Sequence, residues 1–600
     1  MTIACWGVTL TSMRRSVETG ADAVVTSLQS LGVECAFGLP GVHNLAIWEA
    51  FAGSPLRLIG VRHEQTAAYA ADGLARSTGR LGVAISTTGP GAANMVCATG
   101  EAWVSSAPVL VIVTDIPTTL RRPGVYRGVL HEIRDQASMF STVTKATLRA
   151  TCAEEIGDLV LRAGRLALTA PTRPVYLEIP TDLLNAPTRA PVDGGRGIAV
   201  GTVDPDSTPG RRDVDVSRAV AAAAELLTAS RRPLLWAGAG AVRSGADGEV
   251  ARLAEQLGAP VIETYAARGL LPPGHPSRVG AVPHFPAVGE LWDAADVVVA
   301  IGTDFDGTMT QNWQQPQPPA LVAINVDGDD AAKNYTVDIL LEGDGAQLTG
   351  RLADALAVHD ARAPWCDLPA VHARLRTSLE SSEPAALGFL DAVAAGAGAD
   401  VTVITDMCIA GYWLAALHPL PAPRRLLHPL GWGTLGFAFP ASVGVAAAGQ
   451  PALCVCGDGG FLFACGELAV LAQERLPVTV LIVDDGGYGM LRYDQQINGP
   501  RGQRYAGVDL ATPDFERLSE AFGIRAERVA GLGAEVADAL ARHLALPEPS
   551  VIVVEGSLNP PLSTSARWYR SGAQSADNGS SLRAHAADNS AITSPIPGDR

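Results

Sequence analysis

The chain reads as an α/β protein of three parallel-sheet domains, and three observations predict it. Short apolar runs recur, each ending at glycine or aspartate and leading into a helical pattern. The runs are unbroken rather than alternating, as strands covered on both faces require. This strand–turn–helix unit fills three blocks separated by weakly patterned stretches, which favours parallel sheets with crossover helices. At 600 residues the chain also exceeds what one hydrophobic core usually fills.

The elements follow in order. Residues 1–14 read as a flexible lead, because MTIACWGVTLTSMRR has no basic residue ahead of its apolar stretch and makes a poor signal peptide. Residues 15–185 form the first block, with strands expected in GVECAFGLPG, RLIGVRHEQ, LGVAISTTGPG, APVLVIVTD and RPVYLEIPTDLL. Residues 186–215, rich in Pro, Gly and Asp, read as a linker. The second block covers 216–345 through PLLWAGAGA, ADVVVAIGTDF and LVAINVDGDD. Residues 346–385 lack clear periodicity and read as a second linker. The third block, 386–560, runs from DVTVITDMC to PSVIVVEGSL. Residues 561–600, with few large apolar side chains, read as a disordered tail.

Composition narrows the function. Hydrophobic residues make up 47% and charged residues 18%, which excludes disorder along most of the length. The formal charge is -17, so no basic face is available for nucleic acid. No apolar run is long enough to cross a bilayer, so no membrane partner is expected. The 9 cysteines are scattered, and Cys454 and Cys456 alternate within a buried-strand pattern. We expect a reduced, cytoplasmic protein.

The strongest chemical signal lies in the third block. The strand PALCVC runs into Gly457-Asp458-Gly459-Gly460, and after a helix-like stretch the strand VTVLIV ends at Asp484-Asp485-Gly486-Gly487. In a βαβ unit both strand ends lie at one edge of the sheet, so Asp458 and Asp485 should face each other there. Two carboxylates so placed repel unless a cation sits between them. Glycine lets backbone approach closely, and amides at a helix N-terminus favour phosphate oxygens. A hard divalent ion shared by carboxylates and a phosphate fits this pattern. The competing reading is ordinary, since Asp-Gly pairs after strands are common turns.

With these motifs the chain resembles the thiamine-diphosphate enzymes, and within them the acetolactate synthase branch. The resemblance covers about residues 16–560 and includes FGLPGVHN (37–44), RHEQTAAYAADGLAR (62–76), TTGPGAAN (87–94) and GTLGFAFPA (433–441). It implies pyrimidine-binding, middle and diphosphate-binding domains, in that order. It implies Asp458, Asp485 and the Gly487 carbonyl as Mg²⁺ ligands. Aspartate at 485 replaces the family's usual Asn, adding a charge that tightens the hold on Mg²⁺ or needs a neighbouring cation. Gly457, Gly459, Gly460, Cys408 and Tyr488 would help to bind the cofactor, and Tyr488 could also face substrate. Glu64 would hydrogen-bond the aminopyrimidine ring and share its proton; taken alone it reads as a helix N-terminal glutamate favoured by the dipole. Leu435 would be the wedge that bends the cofactor, where plain core is the other reading. The Gly433 carbonyl would meet the 4′-amino group.

The resemblance also implies a 2-oxo acid substrate that loses carbon dioxide, after which the remaining fragment is ligated to a second carbonyl. The alternative is simple decarboxylation of a larger or basic 2-oxo acid; a reading from another class is a non-catalytic scaffold that kept the fold. His43 would relay protons or merely cap its loop. His131 and Glu132, where the branch carries Phe-Gln, suggest a relay or recognition of a polar or cationic group, against a solvated loop pair. Arg492 is open between substrate contact and surface charge. Asp494 stands where the branch has a pocket-shaping Trp, and Asp406–Gly411 replaces its Gln and His near the diphosphate. In the middle block, AGAGAVRSGA (237–246) is a weak dinucleotide turn, and Thr303-Asp304-Phe305-Asp306 follow a strand where flavin-bearing relatives carry arginines, which weighs against FAD. The family's site is built across two chains, so a dimer or tetramer is expected.

Overall fold

A computed structural model describes residues 18–188, 209–358, 360–429, 431–498 and 506–561. The expected lead at 1–14, most of the 186–215 linker and the tail beyond 561 lie outside the described residues.

Three sheets form, and every strand pairing within them is parallel. The first contains β1 (Cys35–Gly38), β2 (Arg57–Gly60), β3 (Gly82–Ser86), β4 (Val109–Asp115), β5 (Ala146–Arg149) and β6 (Val175–Pro180). The second contains β7 (Pro233–Ala237), β8 (Val261–Glu263), β9 (Val297–Ile301), β10 (Leu321–Asn325) and β11 (Ile339–Glu342). The third contains β12 (Thr402–Thr405), β13 (Leu426–Leu427), β14 (Ala452–Gly457), β15 (Val478–Asp484), β16 (Arg525–Ala530) and β17 (Ser550–Glu555). Central strands such as β3, β4 and β9 are buried at every residue, which accounts for their unbroken apolar runs.

The strand orders are β2-β1-β3-β4-β6-β5, β11-β10-β9-β7-β8 and β13-β12-β14-β15-β17-β16. The first and third orders are the same, position for position. In each, the chain reverses its direction of travel across the sheet between the first and third strands. Parallel sheets open a crevice at that point, outside the carboxyl ends of the strands. The crevice falls at His43 and Thr87–Gly91 in the first domain, and at Asp406–Cys408 and Gly457–Asp458 in the third.

Six helices frame these crevices: α1 (Glu64–Thr78), α2 (Pro90–Val104), α3 (Ile409–Leu417), α4 (Ala438–Ala447), α5 (Asp458–Leu462) and α6 (Gly489–Asn498). The helix α1 starts at His63, whose ring nitrogen accepts from the Gln65 amide, and stops at Gly79 in the left-handed conformation. Half of its buried residues are alanine or glycine. That small-residue face lets α1 and α4 approach until Gly73 lies on the Ala441 carbonyl and Gly444 on the Ala70 carbonyl. One apolar core, from Phe37 and Tyr69 through Phe437 and Phe439 to Ile482, thereby joins the first and third domains.

The stretch 346–385, read as a linker, carries helices Gly345–Leu356 and Leu368–Ser382. The second of these buries only Leu368, Val371 and Leu379, so its apolar stripe is too thin to read as a periodic pattern. Among the described residues no helix is long and apolar enough to cross a membrane.

Candidate active site

The carboxyl ends of β12, β14 and β15 enclose a cavity of ≈ 230 Å³. Its walls include Cys408, Leu435, Gly457, Asp458, Gly459, Gly460, Asp485, Gly487 and Tyr488. Nine of the positions singled out from sequence therefore meet in one place.

The acidic pair sits as the βαβ argument requires. Asp458 follows β14 and opens α5 with 1% of its surface exposed. Both of its carboxylate oxygens and Oδ1 of Asp485 are buried without a hydrogen-bond partner among the described residues. Burial, reinforced by Asp485 and Asp484, pushes Asp458 up to about 7, against the pull of the Gly459 and Gly487 amides. Burial also raises Asp485, and Arg492 opposes that rise. Orphaned buried carboxylates are costly, and a divalent cation is the partner that suits two of them at once. The residues therefore fit the metal and diphosphate that the motif implies.

The loop after β15 is shaped by glycine and held by Arg492. Gly487 has φ +156, and a Cβ there would strike the Val508 carbonyl. The Arg492 guanidinium donates to the carbonyls of Asp485 and Gly486 (both 3.1 Å) and to Asp509 (2.9 Å), and it lies 3.8 Å from the Asp485 carboxylate. Arg492 thus clamps the acidic loop and supplies the cation that an aspartate at 485 calls for.

Asp406, noted from sequence only as a departure, anchors the opposite wall. Its carboxylate accepts from the amides of Met407 (2.8 Å), Gly436 (3.0 Å) and Ala438 (3.1 Å). This fixes the turn that carries Leu435 against the cavity. Burial raises Asp406 to about 6. Cys408 caps α3, its Sγ accepting from the Gly411 amide, and burial raises its thiol well above the ordinary range. Gly433 adopts φ +69 in the same segment, and next to it Thr434 donates to Glu101 of α2.

Glu64, His43 and His131 are not on these walls. They gather at the matching crevice of the first domain. Glu64 begins α1 with 8% of its surface exposed, and its Oε2 accepts from Asn94 at 2.9 Å. His43 and His131 lie with ring centroids 5.3 Å apart, and Nδ1 of each is buried without a partner among the described residues. Burial, then His131, lowers the pKa of His43 and keeps it neutral. The turn Gly89–Gly91 links the two features: a Cβ on Gly89 would meet His131, and one on Gly91 would stand 3.2 Å from Glu64.

Glu132 does not face His43. Its carboxylate accepts from the Arg127 and Val129 amides (both 3.0 Å) and so holds its own loop. Sequence reasoning missed Asn94 and Gln136. Gln136 is 2% exposed; its carbonyl accepts from Gly89 (2.7 Å) and Thr88 (3.0 Å), while its amide donates to Thr114, Tyr176 and Glu178. The Asn in TTGPGAAN, four residues past the proline, was the one available signal for Asn94.

A second crevice, ≈ 580 Å³, lies between the first and middle domains at the carboxyl ends of β7 and β9. Arginines absent after β9 reach it from elsewhere. Arg173 and Arg243 line it, each already donating to a main-chain carbonyl, of Trp103 and Ser105 respectively. Lys333 is paired with Asp304 (2.6 Å) and Asp330 (2.8 Å).

Comparison with known proteins agrees with this geometry. Residues 18–139, 220–352 and 406–554 match the N-terminal TPP binding domain, the central domain and the C-terminal TPP binding domain of thiamine pyrophosphate enzymes. The chain is 34% identical to a probable 2-ketoarginine decarboxylase of Pseudomonas aeruginosa, over 86% of this chain and 90% of that protein. It is 31% identical to a probable acetolactate synthase large subunit of Methanocaldococcus jannaschii, over 85% and 87%. It is 29% identical to the acetolactate synthase isozyme 3 large subunit of Escherichia coli, over 84% and 88%. With its three sheets matched in order by the three domains of one enzyme family, the chain belongs to the thiamine pyrophosphate enzymes.

Proposed function

We propose that the protein decarboxylates a 2-oxo acid, using thiamine diphosphate and Mg²⁺ held in the third-domain cavity. Asp458, Asp485 and the Gly487 carbonyl would hold the metal, and Gly457, Gly459, Gly460, Cys408 and Tyr488 would surround the diphosphate. Thiamine diphosphate supplies the electron sink that allows a 2-oxo acid to lose carbon dioxide. The chain's own residues bind, orient and move protons around it. Leu435, on the cavity wall, would pack beneath the thiazolium, and the Gly433 carbonyl would meet the 4′-amino group. Glu64 would hold a proton against the pyrimidine ring.

Glu64 would reach the cavity from a second copy of the chain. Large apolar side chains stand exposed around both halves: Val42, Leu45 and Leu130 in the first domain, Trp432, Phe463 and Leu491 in the third. Exposed side chains of this size suit burial in an interface. A dimer, or a tetramer of two dimers, would cover them and complete two sites. We place the protein in the cytoplasm, in keeping with the free thiols of its described cysteines.

For the fate of the decarboxylated fragment, the carrying observation is the His43–His131 pair beside Glu64. A buried imidazole that takes a proton at one ring nitrogen, by way of its neighbour, while giving one from the other can relay a proton for release of an aldehyde. A larger or basic substrate fits the aspartate at 494, where the acetolactate synthase branch has Trp, and the name of the Pseudomonas relative. The second reading is ligation to another carbonyl, supported by the acetolactate synthase names of other relatives. Incubating the protein with thiamine diphosphate, Mg²⁺ and a panel of 2-oxo acids tests both. Carbon dioxide with an equal amount of aldehyde is expected, a 2-hydroxy-2-alkyl-3-oxo acid would establish ligation, and no carbon dioxide from any acid would overturn the proposal.

A further inference from the structure

We propose that Asp494 selects 2-oxo acids whose far end carries a cation. The inference rests on the 2-oxo acid reading above and names the residue that reads the substrate's tail.

Asp494 lies on α6, one turn beyond Met490, which lines the cavity. Residues four apart share a helix face, so Asp494 stands about 6 Å farther along the axis on the same side. It is only partly exposed, and burial raises its carboxyl above the ordinary value. Its charge also acts on Tyr412, another cavity residue, and helps to raise that phenol.

Asp494 lacks a partner among the described residues, and unlike Asp458 it is not among the residues proposed to hold the metal. Asp406 accepts three amides, Asp484 accepts from Gly486, Asp485 pairs with Arg492, and Glu132 holds its own loop. Asp494 makes no hydrogen bond or ion pair with any described residue. No lysine, arginine or histidine lies on the described cavity walls to neutralise it. A partly desolvated carboxylate without a partner is unfavourable unless a ligand supplies the opposite charge. Tyr412, on the cavity wall and within reach of Asp494's charge, offers a ring face as a second attraction for a guanidinium or ammonium group. The acid end of such a substrate would lie at the cofactor, and its tail would extend along α6 toward Asp494.

The test compares two acids of equal shape, 5-guanidino-2-oxopentanoate and its neutral counterpart 5-ureido-2-oxopentanoate, with the intact enzyme, Mg²⁺ and thiamine diphosphate. The wild type should favour the guanidino acid in kcat/KM by about tenfold to a hundredfold, the range of a charge-assisted contact. In Asp494→Asn that ratio should collapse toward one, mainly through KM for the guanidino acid, with the melting temperature kept. Asp494→Glu should retain most of the preference. Equal use of the two acids by the wild type, or an unchanged ratio in Asp494→Asn, would overturn the assignment. Turnover of pyruvate but of neither long acid would also overturn it while leaving the 2-oxo acid reading intact. Failure to release carbon dioxide from any 2-oxo acid would instead remove the reading beneath it.

Discussion

Replacing Glu64 with Gln separates proton handling from packing. The native carboxylate is closely held: Oε2 accepts from Asn94 at 2.9 Å, and Gly91 leaves no spare room beside Oε1. Glutamine has the same outline, and its carbonyl oxygen can still accept from Asn94. The loss to folding is the charge assistance on one hydrogen bond, about 1 kcal/mol. In a large domain that shifts Tm by roughly 2–4 °C. The exchangeable carboxyl proton, by contrast, is removed entirely. Proton transfer by a positioned side chain contributes about a hundredfold to ten-thousandfold, which is about 3–5 kcal/mol of barrier. Carbon dioxide release should therefore fall by that factor, while calorimetry still detects binding of Mg²⁺ and thiamine diphosphate. A kcat within about tenfold of wild type, below the range for such a role, would refute the assignment of Glu64.

Three further predictions follow from the packing and the charges. Gly444→Ala adds a methyl group against the Ala70 carbonyl; the ~1 kcal/mol gained in helix propensity is outweighed by overpacking of about 1–3 kcal/mol or more, so thermal unfolding should occur several degrees earlier, and a raised Tm would contradict the close approach of α1 and α4. Asp485→Asn removes one of the two buried carboxylates proposed to hold the cation and should weaken Mg²⁺ binding roughly tenfold or more by titration; an unchanged affinity would place the metal elsewhere. Burial, with Arg76 nearby, pushes His428 down to about 3, whereas the unfolded chain titrates near about 6.5. The unfolded state alone takes up that proton between these values, so the group's contribution is full above pH ~6.5 and is lost at roughly 1 kcal/mol per unit as pH falls. His428→Gln should flatten the acid side of the stability curve, and parallel curves for variant and wild type would show that His428 is not held neutral.

The parts legible in the sequence were those fixed by strand ends. An unbroken apolar run followed by Gly-Asp-Gly places Asp458 wherever a parallel strand stops, and a second such run does the same for Asp485. Topology then brings the two together without any long-range guess. The parts that stayed hidden depend on residues far apart in the chain. Gln136 reaches back 47 residues to Gly89, and Thr434 reaches 333 residues to Glu101. Nothing local marks such partners. Glu132 and Arg492 show the same limit at shorter range. Each has a charge suited to a substrate, yet each is spent on carbonyls or amides of its own loop. The helices within 346–385 escaped because mostly polar, solvent-facing helices leave little periodicity to read.

The central claim is that Glu64 of one chain and the Asp458 cavity of another form one catalytic centre. Co-expressing Glu64→Gln chains with Asp458→Ala chains tests it directly, since each variant alone should be inactive. In a mixed dimer one site receives an intact Glu64 and an intact Asp458, so random pairing should restore about a quarter of wild-type carbon dioxide release. Mixed dimers that form but stay as inactive as either parent would contradict a shared site.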